Sequence, residues 1–131
     1  MSREIIVHSL AQARASLAAA AALKLPVTVA SAPGAALQSG CGWFKAMIEE
    51  ARAAHPSAAV TAILDCGDEP GAVMAALRVG LKQLRFNGEG AVRAKLAAMG
   101  ADFMPAPAAV LDLRGVKEPE AACSVFLEER G

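Results

Sequence analysis

No sign of charge predominates in this chain: 13 lysines and arginines stand against 13 aspartates and glutamates, for a formal net charge of +0. The basic residues are scattered, so nucleic acid and anionic lipid find no positive stripe, and neither is expected as a partner. Cysteine is sparse. Cys41, Cys66 and Cys123 make an odd number and form no CxxC or other zinc-like pair, which reads as three reduced thiols in a cytoplasmic protein. Histidine is scarcer still, at His8 and His55. Long apolar runs are missing as well. The most apolar stretch near the start, LAAAAALKLP, is too short and too alanine-rich to span a bilayer, and the opening residues lack the layout of a signal peptide. The expectation is no membrane segment and no export.

What is present suits an ordinary globular protein. Hydrophobic residues make up 55% of the chain and charged residues 20%, and a length of 131 residues fits one domain spanning 1–131. A chain of this size buries about two-thirds of the surface its unfolded form exposes, so it needs neither disulfide nor metal to hold a core. No cofactor is expected on grounds of stability.

Periodicity then orders the elements. The β-branched density of REIIVHS (3–9) predicts a strand, and the alanine-rich LAQARASLAAAAAL (10–23) a helix lying close on a sheet. VTVAS (27–31) predicts a second strand, followed by a loop, APGAALQSGCG. In WFKAMIEEARAAH (43–55), Phe44, Met47, Ile48 and Ala51 share one helical face opposite Lys45, Glu49 and Arg52. Trp43 and Phe44 are both expected in the core. The alternation continues with strands at 58–65, 82–87, 101–104 and 108–113 and helices at 70–79, 90–99 and 118–130. Gly80 and Gly100 sit where left-handed helix caps belong. Apolar runs without strict alternation indicate strands covered on both faces. The fold class is therefore α/β, a mainly parallel sheet of five or six strands with helices on both faces, open or half-barrel-like.

In such proteins the ligand crevice lies outside the carboxyl ends of the strands. The stretch AILDCGDEPG (62–71) closes one strand with Asp65, Cys66 and Asp68, and other strand ends bring Ser31, Arg85 and Asn87. The Ser39-Gly40-Cys41-Gly42 turn opens a helix whose free N–H groups and positive dipole end suit an anion, or a thiol of depressed pKa. These residues form the candidate ligand-binding rim, with Asp65 and Cys66 as its candidate catalytic pair. Plainer roles stand beside each. Asp65, followed by Gly67 and Pro70, has the surroundings of a turn former or helix cap, and Cys41 and Cys66 suit small packing positions. His55 at a helix C-terminus is explained by the dipole there, and the GEG run (88–90) is too short for a phosphate loop.

Over about residues 10–103 this order of elements resembles the N-terminal half of class II, metal-dependent ketose-bisphosphate aldolases. The stretches that carry the likeness are LPVTVASAPGAALQSGCGWFKAMIEEARAAHP, AILDCGDEP and AALRVGLKQLRFNG. The resemblance implies that Asp65 corresponds to the family's catalytic aspartate, which moves a proton during carbon–carbon bond cleavage. Ser31 likewise corresponds to a serine lining the substrate pocket. Cys66 stands where the family has a zinc-binding histidine. A thiolate ligates zinc, yet a catalytic zinc takes about three protein ligands; here ADFMP lacks the family's glutamate and no histidine follows His55. A full (β/α)8 barrel needs about 200 residues or more. What the resemblance implies is a shortened relative that has lost the metal and the aldolase reaction.

Three functional readings follow. The first is a non-catalytic module that binds a small metabolite or anion around Ser31, Gly40, Asp65 and Arg85. The second is a small lyase or thiol-dependent enzyme, with Asp65 as proton carrier and Cys66 or Cys41 as ligand or nucleophile. The third is a homo-oligomeric assembly module, favoured by edge strands that need cover. Missing metal ligands favour the first. A homodimer or higher assembly is expected, anchored by Trp43, Phe126 or Leu127. Elemental analysis of the purified protein is expected to find no stoichiometric zinc; one zinc per chain, lost in Cys66→Ala, would revive the lyase reading.

Overall fold

The computed structural model describes residues 2–129. Strands and helices alternate along them as β1 (Arg3–Ile6), α1 (Leu10–Leu23), β2 (Val27–Ala30), α2 (Ala35–Gln38), α3 (Cys41–Ala54), β3 (Val60–Asp65), α4 (Pro70–Arg78), β4 (Gln83–Arg85), α5 (Gly90–Ala98), β5 (Asp102–Phe103), β6 (Ala109–Asp112) and α6 (Pro119–Glu128). The six strands form one open, parallel sheet in the order β5-β4-β3-β2-β1-β6. The α/β class and the parallel sheet expected from the sequence are both present. Two compact units divide the chain, one comprising Met1–Ala30, Met47–Ala62 and Pro107–Gly131, the other Ser31–Ala46 and Ile63–Ala106.

In the first unit β1 pairs with β2 on one side and β6 on the other, with Ile5 level with Val29 and Leu111. Consecutive residues Glu4 and Ile5 are both buried, so this strand is covered on both faces, as a continuous apolar run requires. Ser9 caps α1: its Oγ accepts the Gln12 N–H at 3.2 Å, while Gln12 Oε1 accepts the His8 N–H at 2.7 Å. That reciprocal arrangement satisfies two backbone donors at the helix entry. The alanine content of α1 allows a close approach of α6, against which it packs. Buried Ser16 donates its hydroxyl to Gln12 O at 2.9 Å and lies 3.5 Å from the Cys123 thiol.

The exit of α1 is less comfortable. Lys24 closes the helix in the left-handed region, with φ 56 and ψ 41. Its N–H reaches Ala21 O at 3.3 Å and the Leu25 N–H reaches Ala20 O at 3.1 Å, which is the Schellman pattern that glycine serves without steric cost.

The second unit holds β3 from Ile63 onward, with β4 and then β5 beside it, Leu64 level with Leu84 and Leu84 with Phe103. The loop expected after β2 is partly helical. Gly34, at φ 71, starts the single turn of α2, and α3 then begins at Cys41, two residues before the amphipathic pattern does. Within α3 the expected face is buried at Phe44, Met47, Ile48 and Ala51. Trp43 departs from expectation and stays 36% exposed, because successive helical residues diverge by about 100° and turning Phe44 inward turns its neighbour out. Gly80 and Gly100 follow α4 and α5 at φ 89 and 113, as helix caps should.

At the end of β4 the Phe86 ring lies on Gly88, where an added Cβ would come within 2.2 Å of Phe86 Cζ. Arg93 stacks over the Phe103 ring at 4.5 Å and donates Nη1 to Phe86 O at 2.7 Å. Of the three expected assembly anchors, Leu127 is a core residue and Phe126 lies half-buried under the Arg3 guanidinium, 5.0 Å away. Trp43 keeps its exposure. No helix among the described residues is long and apolar enough to cross a membrane.

Two substitutions test these backbone assignments by thermal or urea melting. Lys24→Gly is expected to stabilise the protein by about 1 kcal/mol, the steric cost that a left-handed lysine carries and glycine does not. Gly88→Ala is expected to destabilise it by about 1–3 kcal/mol, because the buried Phe86 ring has nowhere to retreat.

Candidate functional site

The strand ends of the second unit are joined by one serine and one carboxylate. Past the end of β2, the Ser31 N–H still donates to Ile63 O at 3.0 Å, and its Oγ accepts the Asp65 N–H at 2.9 Å. A side chain thus extends the β2–β3 pairing by one rung. Asp65 is only 9% exposed. Its Oδ1 accepts the Gly34 N–H at 3.0 Å and the Gly67 N–H at 2.9 Å. Gly34 and Gly67 both take left-handed backbones, at φ 71 and 59, and their loops touch, a Cβ placed on Gly67 lying 3.9 Å from Gly34 Cα. The bond to Gly67, two residues on, is an Asx-turn, the local role that the surroundings of Asp65 suggest in the sequence.

Cys66 follows with its side chain fully buried. Its N–H donates to Arg85 O at 2.8 Å and its Sγ lies 3.9 Å from Leu64 O. Burial pushes the thiol up to about 12, and the charges of Asp65 and Cys41 add to the effect. At neutral pH this sulfur is protonated, the condition of an inert thiol rather than of a nucleophile or metal ligand. Asp68 is exposed on the loop that follows. The Asn87 N–H closes that loop onto β4 by donating to Gly67 O at 2.8 Å.

Arg85 stands level with Asp65 in the β3–β4 register. Its Nη2 donates to Pro105 O at 2.7 Å, reaching the chain just past β5. In the Ser39-Gly40-Cys41-Gly42 segment, the Ser39 N–H donates to Ala35 O at 2.9 Å and Gly40 turns at φ 86. Cys41 and Gly42 form the first turn of α3, and Cys41 is half-buried. The expected rim residues therefore all belong to one unit. Direct hydrogen bonds link Ser31 with Asp65, while Cys66, Arg85 and Asn87 are stitched in through backbone. Among the described residues no three of His, Cys, Asp and Glu are grouped to hold a metal ion.

A second constellation, in the first unit, is only half visible in the sequence, where His8 falls at the end of an expected strand and nothing pairs it with Asp112. His8, just past β1, places Nε2 2.6 Å from Asp112 Oδ1 at the end of β6. The same oxygen accepts the Arg114 N–H at 2.9 Å, and Gln12 Nε2 donates to Leu113 O at 2.9 Å. Burial opposes ionisation of Asp112, but the Arg114 N–H and His8 outweigh it and hold the carboxyl below its ordinary value. The available signal is that both residues end strands; what hides the pair is that the last strand of the chain lies beside the first. The opposite, strand-start rim of this unit holds a depression lined by Ala20, Lys24, Leu25, Pro26 and Ser57. There the carbonyl end of α1 disfavours an anion.

Asp65→Ala is expected to cost about 2–4 kcal/mol in urea denaturation, since two N–H donors lose a charged acceptor. For Asp112 the native pKa lies below the unfolded 3.8, so its contribution to stability is complete above that value and is lost as pH falls through the native one. Asp112→Asn is expected to flatten that acidic limb of the stability profile.

Compared with known proteins, the chain matches no family model and no curated protein.

Proposed function

We propose that the second unit is a non-catalytic binding module that holds a small anionic metabolite at its strand-end rim. The observation that carries this reading is the fixing of two loops by Asp65 Oδ1, through the N–H groups of Gly34 and Gly67. A rim held in place before a ligand arrives loses little conformational entropy on binding. The helices that open beside it are α4 and α5, whose caps Glu69 and Glu89 make no side-chain cap hydrogen bond. In α4 Pro70 has no N–H and the Ala72 N–H already donates to Glu69 O, so the helix-end donors that suit an acceptor are those of α5. Arg85 supplies a guanidinium at the same level as Asp65 and suits a carboxylate or phosphate.

The acids on these loops narrow the ligand. Asp68, Glu69 and Glu89 accompany Arg85 and Arg93, so a polyanion meets repulsion that a singly anionic molecule with hydroxyl or amine donors does not. The protonated state of Cys66 weighs for binding and against thiol chemistry. The aldolase likeness supports the same rim, with Asp65 as the counterpart of the family's aspartate.

Thermal shift against a panel of hydroxy acids, amino acids and sugar monophosphates tests the reading. A ligand at tenfold its dissociation constant contributes about 1.4 kcal/mol, a rise in melting temperature of about 4–7 °C for a chain of this length. That increment is expected to disappear in Arg85→Gln. An increment that survives Arg85→Gln, or a ligand mapped to the strand-start depression, would remove this proposal.

A further inference from the structure

The His8–Asp112 pair has the makings of a reactive site. Asp112 Oδ1 is held by the backbone N–H of Arg114 at 2.9 Å while it contacts His8 Nε2 at 2.6 Å, and the His8 main-chain N–H is held in turn by Gln12 Oε1 at 2.7 Å. The carboxylate and the backbone that carries the ring are thus each held by a group that does not titrate, and the ring itself is oriented by Asp112. The charged groups acting on Asp112 are His8 and Arg114, and the neutral Gln12 of α1 donates to the carbonyl of the adjacent Leu113.

The tautomer follows from the partner. An ionised carboxylate is an acceptor only, so the ring nitrogen facing it must carry the proton. Asp112 is ionised throughout the neutral range, its carboxyl being held below its ordinary value. In neutral His8 the lone pair is therefore on Nδ1, which makes no hydrogen bond among the described residues. The side chains are not sealed away: His8 is 20% exposed and Asp112 48%. They end β1 and β6, and ligands of parallel sheets bind at such carboxyl ends.

We infer that His8 and Asp112 form a general-base dyad, a site apart from the Asp65 rim, for a small molecule that presents a hydroxyl group to His8 Nδ1. The ligand's O–H bond breaks with its electron pair kept on oxygen, and Nδ1 takes the proton. The resulting imidazolium faces the Asp112 carboxylate through Nε2–H, the orienting role of an acid behind a catalytic histidine. An anionic ligand fits poorly, since Asp112 already supplies the negative charge there.

Diethyl pyrocarbonate is the probe, because it reports the free lone pair of an imidazole. The ring nitrogen attacks one carbonyl of the reagent to form an N–C bond, and ethyl carbonate leaves and decays to ethanol and carbon dioxide. Rates at His8 and His55 are read by peptide mass spectrometry on the folded protein near pH 8, where His55 is the internal reference. His8 is expected to react at least tenfold faster than His55, and Asp112→Asn to erase most of that difference while leaving His55 unchanged. A tie in which Nδ1 is covered from solvent protects His8 instead. If His8 reacts no faster than His55, or just as fast in Asp112→Asn, the dyad is overturned. The comparison within the unmodified protein decides the matter even where the variant fails to fold, and neither result bears on the Asp65 rim.

Discussion

One oxygen atom sets the course of two loops. Asp65 Oδ1 draws in the N–H groups of Gly34 and Gly67, and the Ser31 hydroxyl accepts the N–H of Asp65 itself. Remove that acceptor and the loops after β2 and β3 lose their common anchor. The glycines are part of the same constraint. Gly34 and Gly67 both occupy the left-handed region, which a residue with a side chain enters only at a cost. The backbone, the carboxylate and the serine thus specify one another, and the helices that follow inherit their starting points from them.

The neighbouring Cys66 shows the consequence for chemistry. Its position at a strand end invites a catalytic reading, but the features that make the rim rigid also remove water from the thiol. A desolvated sulfur beside a carboxylate keeps its proton, and the value of about 12 places the thiolate well out of reach at neutral pH. Rigidity and thiol reactivity are opposed at this position, and the packing favours rigidity.

Local signals made the helices legible. The shared face of Phe44, Met47, Ile48 and Ala51 marks α3, and Gly80 and Gly100 mark the ends of α4 and α5, because such caps are written in the residues beside them. Helix α2 was not legible, since a single turn between Gly34 and Gly40 carries no period. The exposure of Trp43 was missed for a related reason: hydrophobicity alone does not say which of two adjacent residues faces inward. At the site, the residues that end strands could be named from the sequence, and their partners could not. Ser31 and Asp65 are brought together by the β2–β3 pairing, and His8 and Asp112 by the placing of β6 beside β1, a matter of strand order that no local pattern encodes.

The three thiols form a graded set of reporters. Cys66 and Cys123 are buried, and burial raises both above the ordinary thiol value; Cys41 is half-buried in the first turn of α3. An alkylating reagent applied under native conditions therefore meets Cys41 first, and a fluorophore attached there sits on the segment that leads into α3. Modification of Cys66 or Cys123 must wait for the structure around each to open. Their labelling rates clock the opening of two different places, the loop after β3 and the packing of α6 on α1, and so measure separately how often each unit breathes.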